Sequence, residues 1–91
     1  MEEVKKEKKE TKIGEITHYF TNISVGVIEL KDTLSVEDTI HIKGATTDFE
    51  QKVESMQIEH ENVEKAEAGQ SIGLKVKEHV RESDVVYKII D

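Results

Sequence analysis

Four histidines are the side chains of this sequence best suited to metal binding or acid–base chemistry: His18, His41, His60 and His79. No pair of them has H-x-H or H-x-x-x-H spacing, and the chain contains no cysteine. A zinc site needs three or four nitrogen, sulfur or oxygen ligands that converge on one point. The spacing therefore predicts no metal site, and we expect scattered histidines on the surface or at strand edges.

Nucleophilic catalysis has no local signature in the chain. No G-x-S-x-G turn surrounds any of the serines, and no G-x-x-x-x-G-K-[ST] loop could cradle a nucleotide phosphate. The chain has 20 acidic residues, so adjacent carboxylates arise by chance. We therefore predict no catalytic residue, no cofactor and no enzymatic activity.

The distribution of charge bears on possible partners. The net charge is −7, although residues 1–12 carry five lysines and four glutamates, so that the remainder carries −8. An acidic body repels phosphate backbones, which argues against DNA as a partner. No apolar run approaches the roughly 18 residues of a membrane span and no secretory signal is visible, which predicts a cytoplasmic protein without membrane contact. Charged residues make up 36% of the chain, a composition that favours a thermophilic source.

The elements that must position any site are predicted to be strands. Residues 1–12 have almost no apolar side chains and are predicted to be a flexible charged tail. Residues 13–91 form one domain, in which Ile23, Val25 and Val27 alternate on one face of a strand. We predict an all-β fold, a small six-stranded antiparallel β-barrel, with strands at 13–20, 23–30, 39–43, 49–59, 71–76 and 85–90.

One predicted strand changes its phase. Phe49 and Val53 share one phase of the two-residue repeat, whereas Met56 and Ile58 share the other. Both pairs can face the core only if an extra residue interrupts the strand. A β-bulge or sharp bend is therefore expected near Glu54-Ser55.

Two segments resemble the second domain of translational GTPases. Residues 34–44, L-S-V-E-D-T-I-H-I-K-G, are similar to L-x-V-G-D-x-ϕ-x-ϕ-x-G, where ϕ is apolar, with Glu37 in place of the usual glycine. Residues 53–76 are similar to V-x-S-ϕ-x-ϕ-x-H followed by A-x-x-G-x-x-V-G-ϕ-x-V. The resemblance covers about residues 12–90 and is nearest to stand-alone translation elongation factor-like proteins. A related barrel occurs at the C-terminus of collagenase-like peptidases.

The resemblance implies a translation-protein barrel that acts as a binding module. In the family this barrel helps to hold the aminoacylated end of tRNA. Here Gln70 replaces a usual acidic residue, and Glu59 and Glu61 stand where a basic residue is sometimes found. These departures favour a protein partner, associated with the ribosome or with a translation factor, over a tRNA end.

The predicted binding face is formed by residues 56–61 and 69–71, and its candidate side chains are Gln57, Glu59, His60, Glu61 and Gln70. Two alternatives to a translation-associated module remain open. One is an accessory or substrate-positioning barrel that partners an enzyme such as a collagenase-like peptidase. The other is direct binding of RNA.

Overall fold

A computed structural model describes residues 9–90, and these residues form an all-β domain. The predicted fold class is therefore confirmed at the level of all-β, antiparallel structure. Short strands also lie at Leu34–Ser35 and within residues 61–66, outside the six predicted strands. The ten strands are β1 (Lys9–Phe20), β2 (Val25–Leu30), β3 (Leu34–Ser35), β4 (Thr39–Lys43), β5 (Asp48–Lys52), β6 (Met56–Ile58), β7 (Glu61–Val63), β8 (Lys65–Ala66), β9 (Ser71–Lys75) and β10 (Val85–Ile90).

Eight strands form one antiparallel sheet in the order β5-β4-β10-β1-β2-β9-β6-β7, and β3 pairs with β8. Within residues 9–90 no ladder joins the end strands β5 and β7, so the predicted closed six-stranded barrel is not confirmed. The strands β5 and β6 follow one another in the chain but lie near opposite ends of the sheet. Residues 53–55 therefore carry the chain from one end of the sheet towards the other.

The predicted interruption in residues 49–59 is confirmed. The strand β5 ends at Lys52 and β6 begins at Met56. Val53 and Met56 are both buried, although they are three positions apart and so of opposite phase in a two-residue repeat. The backbone of Val53 leaves the ladder and bonds elsewhere: its N–H donates to the Asp38 carbonyl at 2.8 Å, and its carbonyl accepts from the Glu37 N–H at 2.7 Å.

The side chain of Gln51 supplies a link that no strand pairing provides. Its Nε2 donates to the Lys75 carbonyl at 2.9 Å, and its Oε1 accepts from the Lys77 N–H at 2.9 Å. The amide thus ties β5 to the end of β9, where the short strand β6 no longer reaches. One side chain therefore satisfies two backbone groups that would otherwise lack a partner in the sheet.

The N-terminal boundary differs from the prediction. Residues 9–12 were assigned to a tail but belong to β1, where Glu10 pairs with Ile89 and Lys12 with Tyr87. A backbone ladder does not require apolar side chains, and Glu10 and Lys12 remain exposed while their backbones are paired. Residues 1–8, the rest of the predicted tail, lie outside the described residues.

Within the described part of the chain, sixteen buried apolar side chains form the core. The alternating apolar residues of β4 and β9 face the core, because Ile40, Ile42, Ile72 and Leu74 are at most 1% exposed. The strand β2 behaves differently. Its buried positions are Gly26, Ile28 and Leu30, so that Val25 and Val27, in the opposite phase, face outwards.

The turn before β4 keeps an unusual backbone conformation. Glu37, which stands where the resembling family has glycine, has a φ of 83°. A side chain at such an angle is sterically unfavourable, whereas glycine adopts it freely. The turn thus keeps the conformation that glycine favours, at the cost of local strain.

Replacing Gly14 by alanine should destabilise the domain. Gly14 follows a register shift in the β1–β10 ladder, and a Cβ there would lie 2.5 Å from the Glu29 carbonyl oxygen and 2.9 Å from Ile28 Cγ2. Relief of this overlap requires movement of backbone, so we expect Gly14→Ala to lower the free energy of unfolding by about 1–3 kcal/mol. Urea denaturation measures the change.

Gly73→Ala is the matched control, because its Cβ would meet only Val25 Cγ1, at 3.4 Å. We expect this variant to stay close to the parent protein in denaturation midpoint. Equal midpoints for the two variants would contradict the close approach of β1 and β2 at Gly14.

Candidate functional site

A trough of about 250 Å³ lies on the outer face of the sheet, where β2, β9 and β6 are neighbours. It is bounded on one side by the β1–β2 turn and β2, and on the other by β6 and the turn that follows it. Ten residues line the trough: Phe20, Ile23, Val25, Val27, Gln57, Glu59, His60, Ser71, Ile72 and Gly73.

The depression exists because the central strand has small side chains on this face. The ladders align Val27 of β2, Gly73 of β9 and Gln57 of β6 in one cross-strand row. Gly73 contributes no side chain to the row, and Ser71, two residues earlier on the same face, contributes only a hydroxymethyl group. Side chains in a strand alternate between faces. Ile72 and Leu74 therefore fill the core, while the outer face of β9 carries only small side chains at these positions.

The wall along β2 is apolar and exposed. Phe20 and Ile23, which flank the turn between β1 and β2, are 45% and 57% exposed, and Val25 and Val27 continue the apolar surface beside them. Within residues 9–90 only one other large apolar side chain, Ile90, is exposed. Contiguous exposed apolar surface of this kind marks interaction sites in soluble proteins.

The opposite wall is polar and holds a strained turn. Glu59 and His60 connect β6 to β7 with φ values of 52° and 68°. A two-residue hairpin with both central residues in this region is a type I′ turn, which ordinarily uses Asn-Gly. Beside the turn, Gln57 donates from Nε2 to Oδ1 of Asn62 at 3.1 Å, which fixes the side chain that borders the trough.

The structure brings together three of the five predicted binding residues. Gln57, Glu59 and His60 line the trough, whereas Glu61 begins β7 outside it. Gln70 also lies outside, and its Oε1 accepts a hydrogen bond from the Glu67 N–H at 2.7 Å, which stabilises a loop. No ligand tests these assignments, which stay predictions.

The apolar half of the trough was missed at the sequence level. The predicted binding residues do not include Phe20, and Val25 and Val27 are predicted only to share one face of a strand. The signal was present: β2 has apolar side chains in both phases, and two large apolar residues flank its preceding turn. A strand needs apolar residues on both faces only when both faces are covered.

A second polar cluster surrounds His41 on β4. Its Nδ1 lies 2.8 Å from Glu10 Oε2, and its Nε2 lies 2.6 Å from Asp48 Oδ1. Glu50 is directly opposite His41 in the β4–β5 ladder, and Glu10, His41 and Glu50 each place one potential metal-ligand atom within 4.8 Å of the others. His41 is therefore not an isolated histidine, which the spacing along the chain could not indicate. Both ring nitrogens are engaged by carboxylates.

The electrostatics of His41 follow from those contacts. Burial of the ring, whose side chain is 14% exposed, lowers its pKa, but the hydrogen bonds to Asp48 and Glu10 outweigh burial, so that the pKa of His41 is raised above 6.5. The hydrogen bond from His41 lowers the pKa of Asp48 below its usual 3.8. A neutral imidazole has one N–H, so donation to both carboxylates requires the protonated ring.

Comparison of structures defines the class of fold. The chain resembles the crystal structure of the C-terminal domain of a Geobacillus thermoleovorans protein described as a U32 peptidase, with a TM-score of 0.79 at 18% identity. The match covers 84% of this chain and 89% of that one. A selenomethionine form of the same domain gives a TM-score of 0.79 at 17% identity, covering 82% of this chain and 95% of that one. The fold is therefore that of this C-terminal domain.

The relatives found by sequence are longer proteins. The chain is 45% identical over 76 residues to an uncharacterised protease of Methanocaldococcus jannaschii, which covers 82% of this chain and 19% of the relative. It is 40% identical over 83 residues to a collagenase of Porphyromonas gingivalis, which covers 89% of this chain and 23% of the relative. The chain thus spans about one fifth of the length of these relatives. No protein-family model matches it.

These comparisons correct the resemblance to translation factors. The related proteins are peptidases and collagenases, and the similar structures are a peptidase domain, so the assignment to elongation factor-like proteins was wrong. The quoted motifs encode turns and alternating strands that any small β fold of this shape requires, and they carry no residue specific to translation. Among the described residues, no helix has the length and apolar character to cross a membrane.

Replacing the strained turn should stabilise the hairpin. We expect Glu59→Asn combined with His60→Gly to raise the free energy of unfolding by about 1 kcal/mol, because both new residues adopt positive φ readily. Thermal and urea denaturation measure the change. An unchanged or lowered stability would show that the native side chains stabilise the turn by contacts that offset the strain.

The His41 cluster should make stability depend on pH. The pKa of His41 is raised in the folded state. Its contribution to the free energy of unfolding is therefore fully present below the unfolded-state pKa of about 6.5 and is lost as the pH rises through the folded-state pKa. At the acid end, the contribution of Asp48 is lost as pH falls below about 3.8. We therefore expect the free energy of unfolding to fall as the pH rises above about 6.5.

The variant His41→Gln should flatten this dependence, because glutamine does not titrate. His60→Gln is the matched control and should leave the dependence intact, since His60 forms no ion pair among the described residues. Urea denaturation at a series of pH values provides the measurement. If the free energy of unfolding of His41→Gln still falls as the pH rises above about 6.5, the pH dependence does not come from His41.

Proposed function

We propose that this chain is a non-catalytic accessory domain of a collagenase-like peptidase, and that it acts by binding. The observation that carries the proposal is the identity of 40–45% to peptidases over more than four fifths of this chain and only about one fifth of theirs. A segment of that size is a domain-sized part of a larger enzyme. The fold, shared with the C-terminal domain of a U32 peptidase, supports the same assignment.

A binding role is supported by the chemistry of the two polar sites. His60 and Ser71 both line the trough, but no hydrogen bond joins a histidine to a serine or threonine hydroxyl within residues 9–90. The carboxylates beside His41 hold both of its ring nitrogens. Nucleophilic catalysis requires a hydroxyl or thiol within reach of a base, and the described part of the chain lacks that arrangement.

A protein partner is supported by the surface. The trough combines an apolar wall with a polar one, and the net charge of −7 disfavours contact with phosphate backbones. A partly exposed apolar wall is common where a domain packs against another part of the same assembly. The domain would thereby support the catalytic part or position its substrate.

The collagenase of Porphyromonas gingivalis provides the test. Its matched 83-residue segment is deleted in one variant and replaced by this chain in another, and hydrolysis of collagen is measured for both. We expect deletion to lower kcat/KM by about tenfold or more, because positioning is lost. The replacement should restore most of the activity, and this chain alone should hydrolyse nothing. Unchanged activity after deletion, or turnover by this chain alone, would overturn the proposal.

A further inference from the structure

We propose that the trough is the surface by which this domain docks on the peptidase part of such an enzyme, and that it receives an apolar side chain flanked by lysine or arginine. The inference rests on the proposed function and specifies the surface and the chemistry of the partner. Its support comes from the shape, the exposed apolar area and the unpaired charges of the trough.

The shape fits an anchor of one or two side chains. The volume of about 250 Å³ is smaller than the roughly 300–1,000 Å³ of sites that enclose small-molecule ligands. Gly73 leaves the space open, with Val27 and Gln57 on either side of it in the same cross-strand row. Apolar anchors that fill such pockets provide most of the binding energy of protein interfaces.

The charges at the rim fit a cationic neighbour. Glu59 lies in the polar wall, and Glu29 is paired in register with Ser71, at the end of the trough away from Phe20. Neither carboxylate forms an ion pair with another residue of the described chain. Lysine or arginine beside the apolar anchor would therefore meet two carboxylates that form no ion pair within residues 9–90.

The same charges argue against a second copy of this chain. A second copy would bring the same carboxylates, Glu29 and Glu59, and its own net charge of −7 to the interface. Like charges held together across an interface are unfavourable. The peptidase part is the better occupant, because about four fifths of each relative lies outside the matched segment and would be adjacent to this domain.

Hydroxyl-radical labelling tests the location directly. The isolated 91-residue chain is compared with the Porphyromonas collagenase that carries this chain in place of its matched segment. We expect labelling of Phe20, which is 45% exposed in the isolated domain, to fall about fivefold in the full-length enzyme, to the level of a buried side chain. Tyr87, on β10 near His41 and away from the trough, is the internal reference and should be unchanged.

Two variants test whether the trough itself makes the contact. Gly73→Val fills it with a residue suited to a strand, and Ile23→Ser removes an apolar wall residue that is 57% exposed. Ile90→Ser is the matched control, because Ile90 is 47% exposed but does not line the trough. In the full-length enzyme we expect the first two to restore labelling of Phe20 and the control to leave it low. Unchanged melting temperatures of the isolated variants confirm that each still folds.

Several outcomes would overturn the inference. These are equal labelling of Phe20 in the isolated and full-length proteins, protection of Tyr87 instead, protection that appears only when collagen is added, or protection in the isolated chain that increases with concentration. The last two would identify substrate or a second copy as the occupant. Failure of the proposed accessory function can be told apart from failure of the docking proposal. It appears as unchanged collagen hydrolysis after the matched segment is deleted, whatever the labelling shows.

Discussion

The change of side-chain phase between Val53 and Met56 is the constraint on which the arrangement of the sheet depends. Both side chains are buried although they are three positions apart, so a continuous strand cannot connect them. The chain leaves one end of the sheet after β5 and joins β9 through β6. Where the chain crosses, backbone groups have no partner in a strand ladder. The backbone of Val53 bonds instead to Glu37 and Asp38, and the side-chain amide of Gln51 bonds to the backbone of Lys75 and Lys77.

The trough is a consequence of where the small residues fall in that sheet. A domain of this size uses one face of each strand for its single core, and the other face is available for solvent or for a partner. On β9 the outward positions are Ser71 and Gly73, whereas the neighbouring outward positions of β2 are Val25 and Val27. The result is a depression over β9 beside the apolar wall of β2. This surface is suited to receive a side chain from another protein.

The two polar sites serve different purposes. Around His41, carboxylates from β1 and β5 contact both ring nitrogens of the imidazole on β4, which ties the first residues of the described chain to the β4–β5 hairpin. Around the trough, Glu29 and Glu59 have no such cation within the described domain. The carboxylates that contact His41 contribute to the stability of the fold. Carboxylates that form no ion pair and lie beside exposed apolar groups instead favour contact with a positively charged partner.

The sequence by itself determined the longer strands, because the two-residue repeat of Ile40 and Ile42 or of Ile72 and Leu74 is a local property of the chain. It also located the interruption near residues 53–55, since a change of phase is visible without coordinates. Only the tertiary structure decided which strands are neighbours, and hence that Phe20 and Val27 share a surface with Gln57 and His60. Sites on a sheet combine side chains from strands far apart in sequence, so pairing and register fix their composition. Turn and strand motifs recur wherever the backbone has the same shape, which is why the same residues resembled a translation factor while the chain is related to peptidases.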